Sequence, residues 1–527
     1  MLAGDRYGLR SHQGMGFVMK KLGVALAIAI ASAGAAHAAD LPTKKNVQTP
    51  PPNCFASFWT WLDSSAADCP LSAGPITVYG TIDLGVGYAS SGAARSPVTD
   101  KPAYGIQKYS NSARWAGTYN GLSTSVIGLK LKQDLGLIGA PGWSLVGVLE
   151  AGVNPYSGMF DNGPRSLVDN NTAFTNKHPI QGTNLDSSRA GQWDNSQGYL
   201  GISNNTYGTL TFGRTNSLAY DSLAAYDPVS SVAFSLIGFS NSFPGFGDTE
   251  TIRPNTALTY RLNYQNFRIG AQAQIGGYGV GNGSNGMYQG QVGADFPNLY
   301  GGTLSFDAIG SFAKDAVSLS SFSGSGVTCG ATACLVSVNS QIFNANDVAK
   351  ATLSNNIGLE LLGKYKRDAI TVYGGYIYAR LMNPSDDYLG GFQTIAQGIS
   401  VPGGSFVKGV FTNAAITDNN YNIQKVLMTW WGGAKYAFRP DLDFAFGYYF
   451  QSQNDFNTAP CTGSSILISS NKCSGGQQGI SVFADYRPWK RVDLYAGVMR
   501  SSVFGGLANG FNQTVNWDPT VGVRVRF

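Results

Sequence analysis

Histidine is the side chain best suited to moving protons near neutral pH, and this 527-residue sequence has three: His12, His37 and His178. The first two belong to the N-terminal export region described below, which leaves His178 for chemistry. It sits beside Pro179 in a polar stretch, where an exposed loop histidine is the simpler reading. Carboxylate pairs do acid–base work when they are held apart across a substrate. Asp386 and Asp387 are adjacent in a polar segment, which suits a solvated turn or a weak cation site. No H-E-x-x-H, G-x-S-x-G or glycine-rich phosphate loop occurs in a strand–helix context. Serine and threonine are abundant, but without a base they are lining. No enzyme is expected, and no cofactor or metal site is implied.

The six cysteines are the next residues with chemistry to offer. They fall as local pairs, Cys54 with Cys69, Cys329 with Cys334, and Cys461 with Cys473. Six cysteines allow fifteen connectivities, and proximity in sequence favours this one. Each bridge would close a short loop, worth about 2–3 kcal/mol in the chain-entropy model, and would require an oxidising compartment. No pair has zinc-ligand spacing with histidines nearby.

An export signal agrees with that compartment. "MKKLGVALAIAIASAGAAHAAD" has Lys20 and Lys21 before a short apolar core, then small residues leading to Ala36-His37-Ala38. This is the pattern of a secretory signal peptide over 1–38, with Met19 the more natural initiator. Removing Asp5, Arg6, Arg10, Lys20 and Lys21 takes the net charge from +5 to +5 − 3 = +2. So small a charge implies no nucleic-acid partner. Residues 39–75 read as a lead with a Pro-rich run, "TPPPNC", stapled by Cys54 and Cys69.

From Ile76 to the terminal Phe527 the dominant signal is alternation with a period of two, the mark of strands with one apolar face. "ITVYGTIDLGVGY" sets Ile76, Val78, Ile82, Leu84, Val86 and Tyr88 against Thr77, Tyr79, Thr81 and Asp83. "TVGVRVRF" does the same at the end, with Val521, Val523, Val525 and Phe527 opposite Arg524 and Arg526. Counting both, sixteen such segments occur, and short turns such as Gln265-Asn266 alternate with long connections. Charged residues are only 13%, against roughly 25% in soluble proteins, while Gly is 68 of 527. These features specify an all-β fold, a closed antiparallel transmembrane barrel of about sixteen strands over 76–527. Its short turns lie at one end and its long loops outside the cell. Lipid takes the apolar face and water the polar one, and sixteen strands leave an aqueous channel. Tyr88, Tyr264, Tyr365, Tyr436, Phe438, Tyr448, Phe450 and Tyr486 suit aromatic girdles at the membrane interfaces.

At several of these stretches the chain resembles the general bacterial porins, the trimeric sixteen-stranded outer-membrane diffusion channels. The first strand, "SVIGLKLKQDLG" (Ser125–Gly136), "YLGISNNTYGTLTFGRTNSLAYDSLAAYD" (Tyr199–Asp227), "RPNTALTY" (Arg253–Tyr260), "RPWKRVDLYAGV" and the terminal Phe527 carry the likeness. It implies passive diffusion of small hydrophilic solutes and ions, a homotrimer in outer-membrane lipid, and closure of the ring at Phe527. It also implies that a long third loop, about 215–254, folds into the pore. Acids on that loop, here Asp221, Asp227, Asp248 and Glu250, would face wall cations, here Arg214, Arg253, Lys130 and Lys132.

Three departures from the family pattern stand out. Val126 occupies a position where relatives often carry arginine, Gly245 replaces a loop glutamate, and the stapled lead is unusual. Strict alternation would also send Arg214 to the lipid side with Leu210 and Phe212, so Gly213 must mark a bulge or the strand end. A channel selective for sugars or anions is the alternative function; Tyr79, Tyr226, Phe234, Phe239, Phe243 and Phe246 are the aromatics such a channel would use. A barrel enzyme is the remote one. A receptor-type transporter needs a plug domain that 39–75 is too short to supply.

Overall fold

In a membrane, strands with one apolar face must pair until no edge remains, because lipid offers no partner for a free N–H or C=O. The computed structural model of the chain meets that demand. It describes residues 53–93, 112–156, 158, 160, 196–230, 233–237, 253–277, 284–316, 319–320, 335–338, 341–344, 350–351, 354–382, 423–464, 468–470, 472–509 and 511–527. The export segment, Cys329 and Cys334, His178, Asp248, Glu250, Phe239, Phe243 and Phe246 lie outside these residues.

One antiparallel sheet of eighteen strands dominates. In chain order they are β1 (Leu71–Ala73), β2 (Ile76–Ala93), β3 (Ser112–Tyr119), β4 (Val126–Asp134), β5 (Trp143–Gly152), β6 (Gln197–Asn204) and β7 (Gly208–Arg214). Then follow β8 (Ala257–Tyr264), β9 (Phe267–Gln274), β10 (Ser284–Leu299), β11 (Gly302–Ala316), β12 (Ser354–Arg367) and β13 (Ile370–Met382). The last five are β14 (Lys425–Arg439), β15 (Leu442–Gln453), β16 (Gly475–Trp489), β17 (Val492–Gly505) and β18 (Val515–Arg526). Consecutive strands pair antiparallel except β3 with β4, and β18 pairs back onto β2 with Val525 opposite Ile82 and Val521 opposite Val86. Beyond β18, Phe527 exchanges two backbone hydrogen bonds with Gly80. The ring is closed.

Eighteen strands make a sixteen-strand circumference because two are partial. On its second edge, β2 pairs with β4 through Ile76–Thr81 and with β3 from Leu84 onward. These two form one wall strand interrupted at 120–125. The sequence pattern locates the lower half and misses β3, whose "SARWAGTY" mixes small residues into both faces. The short β1 adds a hairpin beside the start of β2.

Burial alternates as the lipid–water reading requires. Phe212, Leu258, Val292, Leu361, Val482 and Val521 are exposed on one parity. Thr211, Thr259, Gln289, Glu360, Ser481 and Thr520 are buried on the other. Among the girdle candidates, Tyr264, Tyr436, Phe438 and Tyr486 are exposed near the short turns. Trp430 packs with Tyr448 and Phe450 nearer the long loops.

From residue 53 onward the lead is folded and docked on the barrel. A disulfide joins Cys54 to Cys69, and α1 (Phe58–Asp63) lies between them. Ser57 caps this helix by accepting from the Thr60 N–H. The unit is held to the β16–β17 turn by Arg491, which is 1% exposed. Its guanidinium donates to the carbonyls of Trp61, Ser65 and Cys69 and stacks over the Trp61 ring. Trp59 packs against Trp489. A second disulfide, Cys461 to Cys473, closes the connection between β15 and β16.

Candidate functional site

After β7 the chain leaves the wall. Gly213 has φ 138°, a backbone region that favours glycine. It ends the strand's alternation: Phe212 is 50% exposed on the lipid side, whereas Arg214 is 4% exposed. Arg214 donates through Nε to the Ser196 carbonyl and through Nη1 to the Arg253 carbonyl and Asn255 Oδ1. Arg253, also buried, lies 5.3 Å from the Tyr220 ring centroid. These two arginines tie together the two roots of the long connection, 215–256.

Between the roots, α2 (Leu218–Tyr226) begins with Ser217 accepting from the Tyr220 N–H. Gln289 of β10 accepts from the Leu218 and Ala219 amides, which the helix itself leaves unpaired. The segment then crosses one strand after another on the inward parity. Tyr226 donates to Asp307 of β11 at 2.5 Å, and Lys364 of β12 donates to the Ala225 carbonyl. Trp431 of β14 donates to the Tyr226 carbonyl. Tyr449 of β15 donates to Asp227 at 2.6 Å. Ser481 of β16 donates to the Phe234 carbonyl, and the Phe234 ring meets Phe483 and Tyr495. Finally the Ala233 amide donates to the Gly121 carbonyl.

The wall is shaped for this passenger. A Cβ on Gly433 would come within 2.6 Å of Pro228, and one on Gly497 within 2.9 Å of Phe234. Leu218, Leu223, Tyr226, Val229, Phe234, Leu236 and Ile237 share one buried apolar cluster with Ile309, Leu362, Ile377, Trp431, Tyr449 and Met499. Burial on this scale, at roughly 1.5–3 kcal/mol per large apolar side chain, holds the segment to the β10–β17 side.

The partners of the candidate acids and cations depend on the fold. Asp221 pairs with Arg261 of β8 at 2.6 Å and accepts from Asn216. Asp227 is buried, accepting from Tyr449 and the Val229 amide; burial pushes its carboxyl up to about 6. Lys130 and Lys132 are exposed on the inward parity of β4, with Lys130 4.2 Å from the Tyr79 ring centroid. Tyr79 in turn donates to Glu150, which also accepts from Ser196 and Gln197. Arg261 and Glu150 went unnoticed because a lone charge in an alternating strand looks like any other lumen residue.

Elsewhere the inward parity carries interlocked charges near the short turns. Arg268 binds Asp295 and Asp307. Asp443 binds Lys435 and Arg487, and Arg487 also reaches Asp485. Asp493 takes both Arg524 and Arg526. Among the described residues no group of three or more His, Cys, Asp or Glu is placed to hold a metal ion. The described inward parity is therefore a wall of paired charges, with Lys130 and Lys132 exposed on β4 and Arg261 of β8 paired to Asp221 of α2.

Comparison with known proteins agrees with this geometry. The family profile described as Gram-negative porin matches residues 25–503. A search of curated proteins finds no match. Among solved structures, the anion-selective porin from Comamonas acidovorans is similar with TM-score 0.51 at 14% identity, over 86% of this chain and 99% of that one. OmpT, an outer membrane protein of Vibrio cholerae, aligns with TM-score 0.46 at 11% identity, over 87% and 100% of the two chains. OmpF of Salmonella typhi, solved with daunomycin, gives 0.47 at 12%, over 86% and 97%. At 14% identity the likeness to the Comamonas acidovorans porin is one of fold.

Proposed function

Because the chain belongs to the Gram-negative porin family, we propose that it works as a homotrimer, each barrel an outer-membrane pore for passive diffusion of small hydrophilic solutes and ions. One observation carries the pore: the inserted segment is bonded to the inward parity of β10, β11, β12, β14, β15 and β16. The side formed by β4 to β8 keeps exposed Lys130 and Lys132, and Arg261 of β8 reaches Asp221 of α2 in a partly exposed pair. The water path runs between that side and α2. There Lys130, Lys132 and Arg261 supply positive potential and Asp221 and Glu150 negative potential, in a narrow space where low-dielectric walls focus the field.

In this reading Arg214 and Arg253 act on the loop roots and touch permeating ions only indirectly. Asp227 is an anchor of the loop. Tyr226 and Phe234 pack the segment to the wall and do not form a sugar slide. The work done is transport without turnover: the paired charges position ions and no reacting group is required.

Planar bilayers test the proposal. Purified protein should insert in steps, with nearly ohmic current at modest voltage. Lys130→Glu/Lys132→Glu should move the KCl reversal potential toward cation preference, and less so in molar salt. Arg214→Gln should shift it little. Absence of stepwise conductance from folded, heat-modifiable protein would overturn the pore assignment. An unchanged reversal potential in the lysine variant would remove β4 from the narrow passage.

A further inference from the structure

Three aromatic side chains of the stapled unit are left uncovered by the fold. Phe55 is 64% exposed, Phe58 64% and Trp59 62%. Nearby residues are engaged instead with the attachment: Trp61 lies under the Arg491 guanidinium, and Leu62 is buried. The rings of Phe58 and Trp59 adjoin, with 5.6 Å between centroids. Exposed aromatics are ordinary on the lipid face of a barrel wall. This unit, however, is held at a turn, beyond the strand ends, where a cluster of large apolar side chains marks a surface that something else covers.

The attachment shows what lies beside the cluster. Trp59 packs on Trp489, ring centroids 5.8 Å apart. Across the β16–β17 pair Trp489 faces Val492, and Tyr486 faces Leu494. Leu494 is exposed on the lipid side, and Val492, two residues before it, shares that parity. Trp489 therefore stands on the lipid side too. The short-turn girdle continues from there through Tyr486 of β16 to Phe444 of β15, whose ring meets Phe438 of β14, and on to Tyr436. Phe58, Trp59 and Trp489 extend that girdle past the ends of the strands.

We propose that Phe55, Phe58 and Trp59 insert into the interfacial layer of the periplasmic leaflet, making the stapled unit an in-plane membrane anchor at the foot of the barrel. Short turns face the periplasm in such barrels. Aromatic rings settle at headgroup level, where one side is apolar and the other wet. Residues 53–75 hold no Lys or Arg, and their only acids are Asp63 and Asp68. Attachment therefore comes from apolar area and not from attraction to anionic headgroups. The Cys54–Cys69 bridge and the Arg491 bonds already fix the unit at the rim, so insertion costs little further ordering.

The anchor requires only that the barrel span the membrane with its short turns in the periplasm; a failed conductance test leaves it standing. Photo-crosslinking of the full-length protein in outer membranes tests it, with p-benzoylphenylalanine in place of Phe58 or, should that variant fail to fold, of Phe55. Folded, heat-modifiable protein is purified after irradiation, and its adducts are identified by intact mass and peptide mapping. The main adduct should be phospholipid, roughly tenfold above that from the same probe at Ala67, an exposed residue of the polar "DSSAADC" stretch. Phe55→Ser/Trp59→Ser should lower the lipid adduct from position 58 about tenfold, as the loss of two large apolar side chains predicts. Phe55→Leu/Trp59→Phe should retain it. Adducts to a second copy, to another protein, to cell-wall glycan or to residues 39–52 of the same chain, in place of lipid, would overturn the anchor. So would a lipid yield no greater at position 58 than at position 67, or one unmoved by the double Ser substitution.

Discussion

Asp227 illustrates how one carboxylate can look alike in sequence and act differently in the fold. Its place in the "AAYD" run suggests a channel-lining acid, yet its oxygens are taken up by Tyr449 and the Val229 amide within an apolar cluster. Burial raises its carboxyl from 3.8 to about 6. A raised native value means that the folded chain holds the proton more tightly than the unfolded one. The associated stability is therefore full below about pH 4 and is lost as pH rises through 6. We expect Asp227→Asn to raise the thermal midpoint at pH 8, by no more than about 3 kcal/mol equivalent, and to match wild type near pH 4. Melting monitored by heat-modifiable migration at the two pH values checks this; a gain of equal size at both would break the linkage. At Arg214 the sequence was more informative. Parity put its side chain in lipid unless Gly213 ended the pattern, and φ 138° at Gly213 shows how it does. Asp221 was legible as a loop acid, but its partner Arg261 was not, because their meeting depends on where α2 lands.

Elements with uniform alternation were readable from their residues alone, since a period of two survives any tertiary arrangement. β2, β15 and β18 are of this kind. β3 escaped because small residues blur its faces, and because β2 runs to Ala93, past the apparent end of its pattern. The inward glycines that admit the inserted segment, such as Gly433 and Gly497, were visible as glycines but not as sockets. The stapled unit around α1 was legible as a disulfide loop and not as a docked one, because its attachment is made by Arg491, over 400 positions away in sequence. Arg491→Ala removes donors to three carbonyls, and net values of about 1.5–3 kcal/mol per bond to a charged group apply. The variant should expose 53–70 to limited proteolysis from the periplasmic side while conductance stays at the wild-type level. Protection equal to wild type would show that the Cys54–Cys69 bridge and the Trp59–Trp489 contact suffice.

At the scale of the whole barrel the decisive contact is the seam. Phe527 pairs its backbone with Gly80, and a Cβ on Gly80 would lie 2.3 Å from the phenylalanine ring. Deleting Phe527 should therefore sharply reduce folded, heat-modifiable protein, and Gly80→Val should do the same by displacing the ring. Val525→Leu, which stays on the lipid parity beside Ile82, should be tolerated. Equal folded yields from the deletion and wild type would remove the seam from the assembly argument. Sequence alone identified the terminal strand and its partner; it could not show that the last residue seats over a glycine.

That seam also sets a schedule. Ser91 and Asn516, which bond across it, are separated by 425 positions, so closure joins the two ends of the barrel-forming chain. Topology of such long range is slow to form, and an unclosed sheet presents a sticky edge on each side. No part of the wall can close early, whatever order the hairpins form in. The ring can therefore close only once the terminal strand has been exported, and until then both open edges can pair with other copies of the chain.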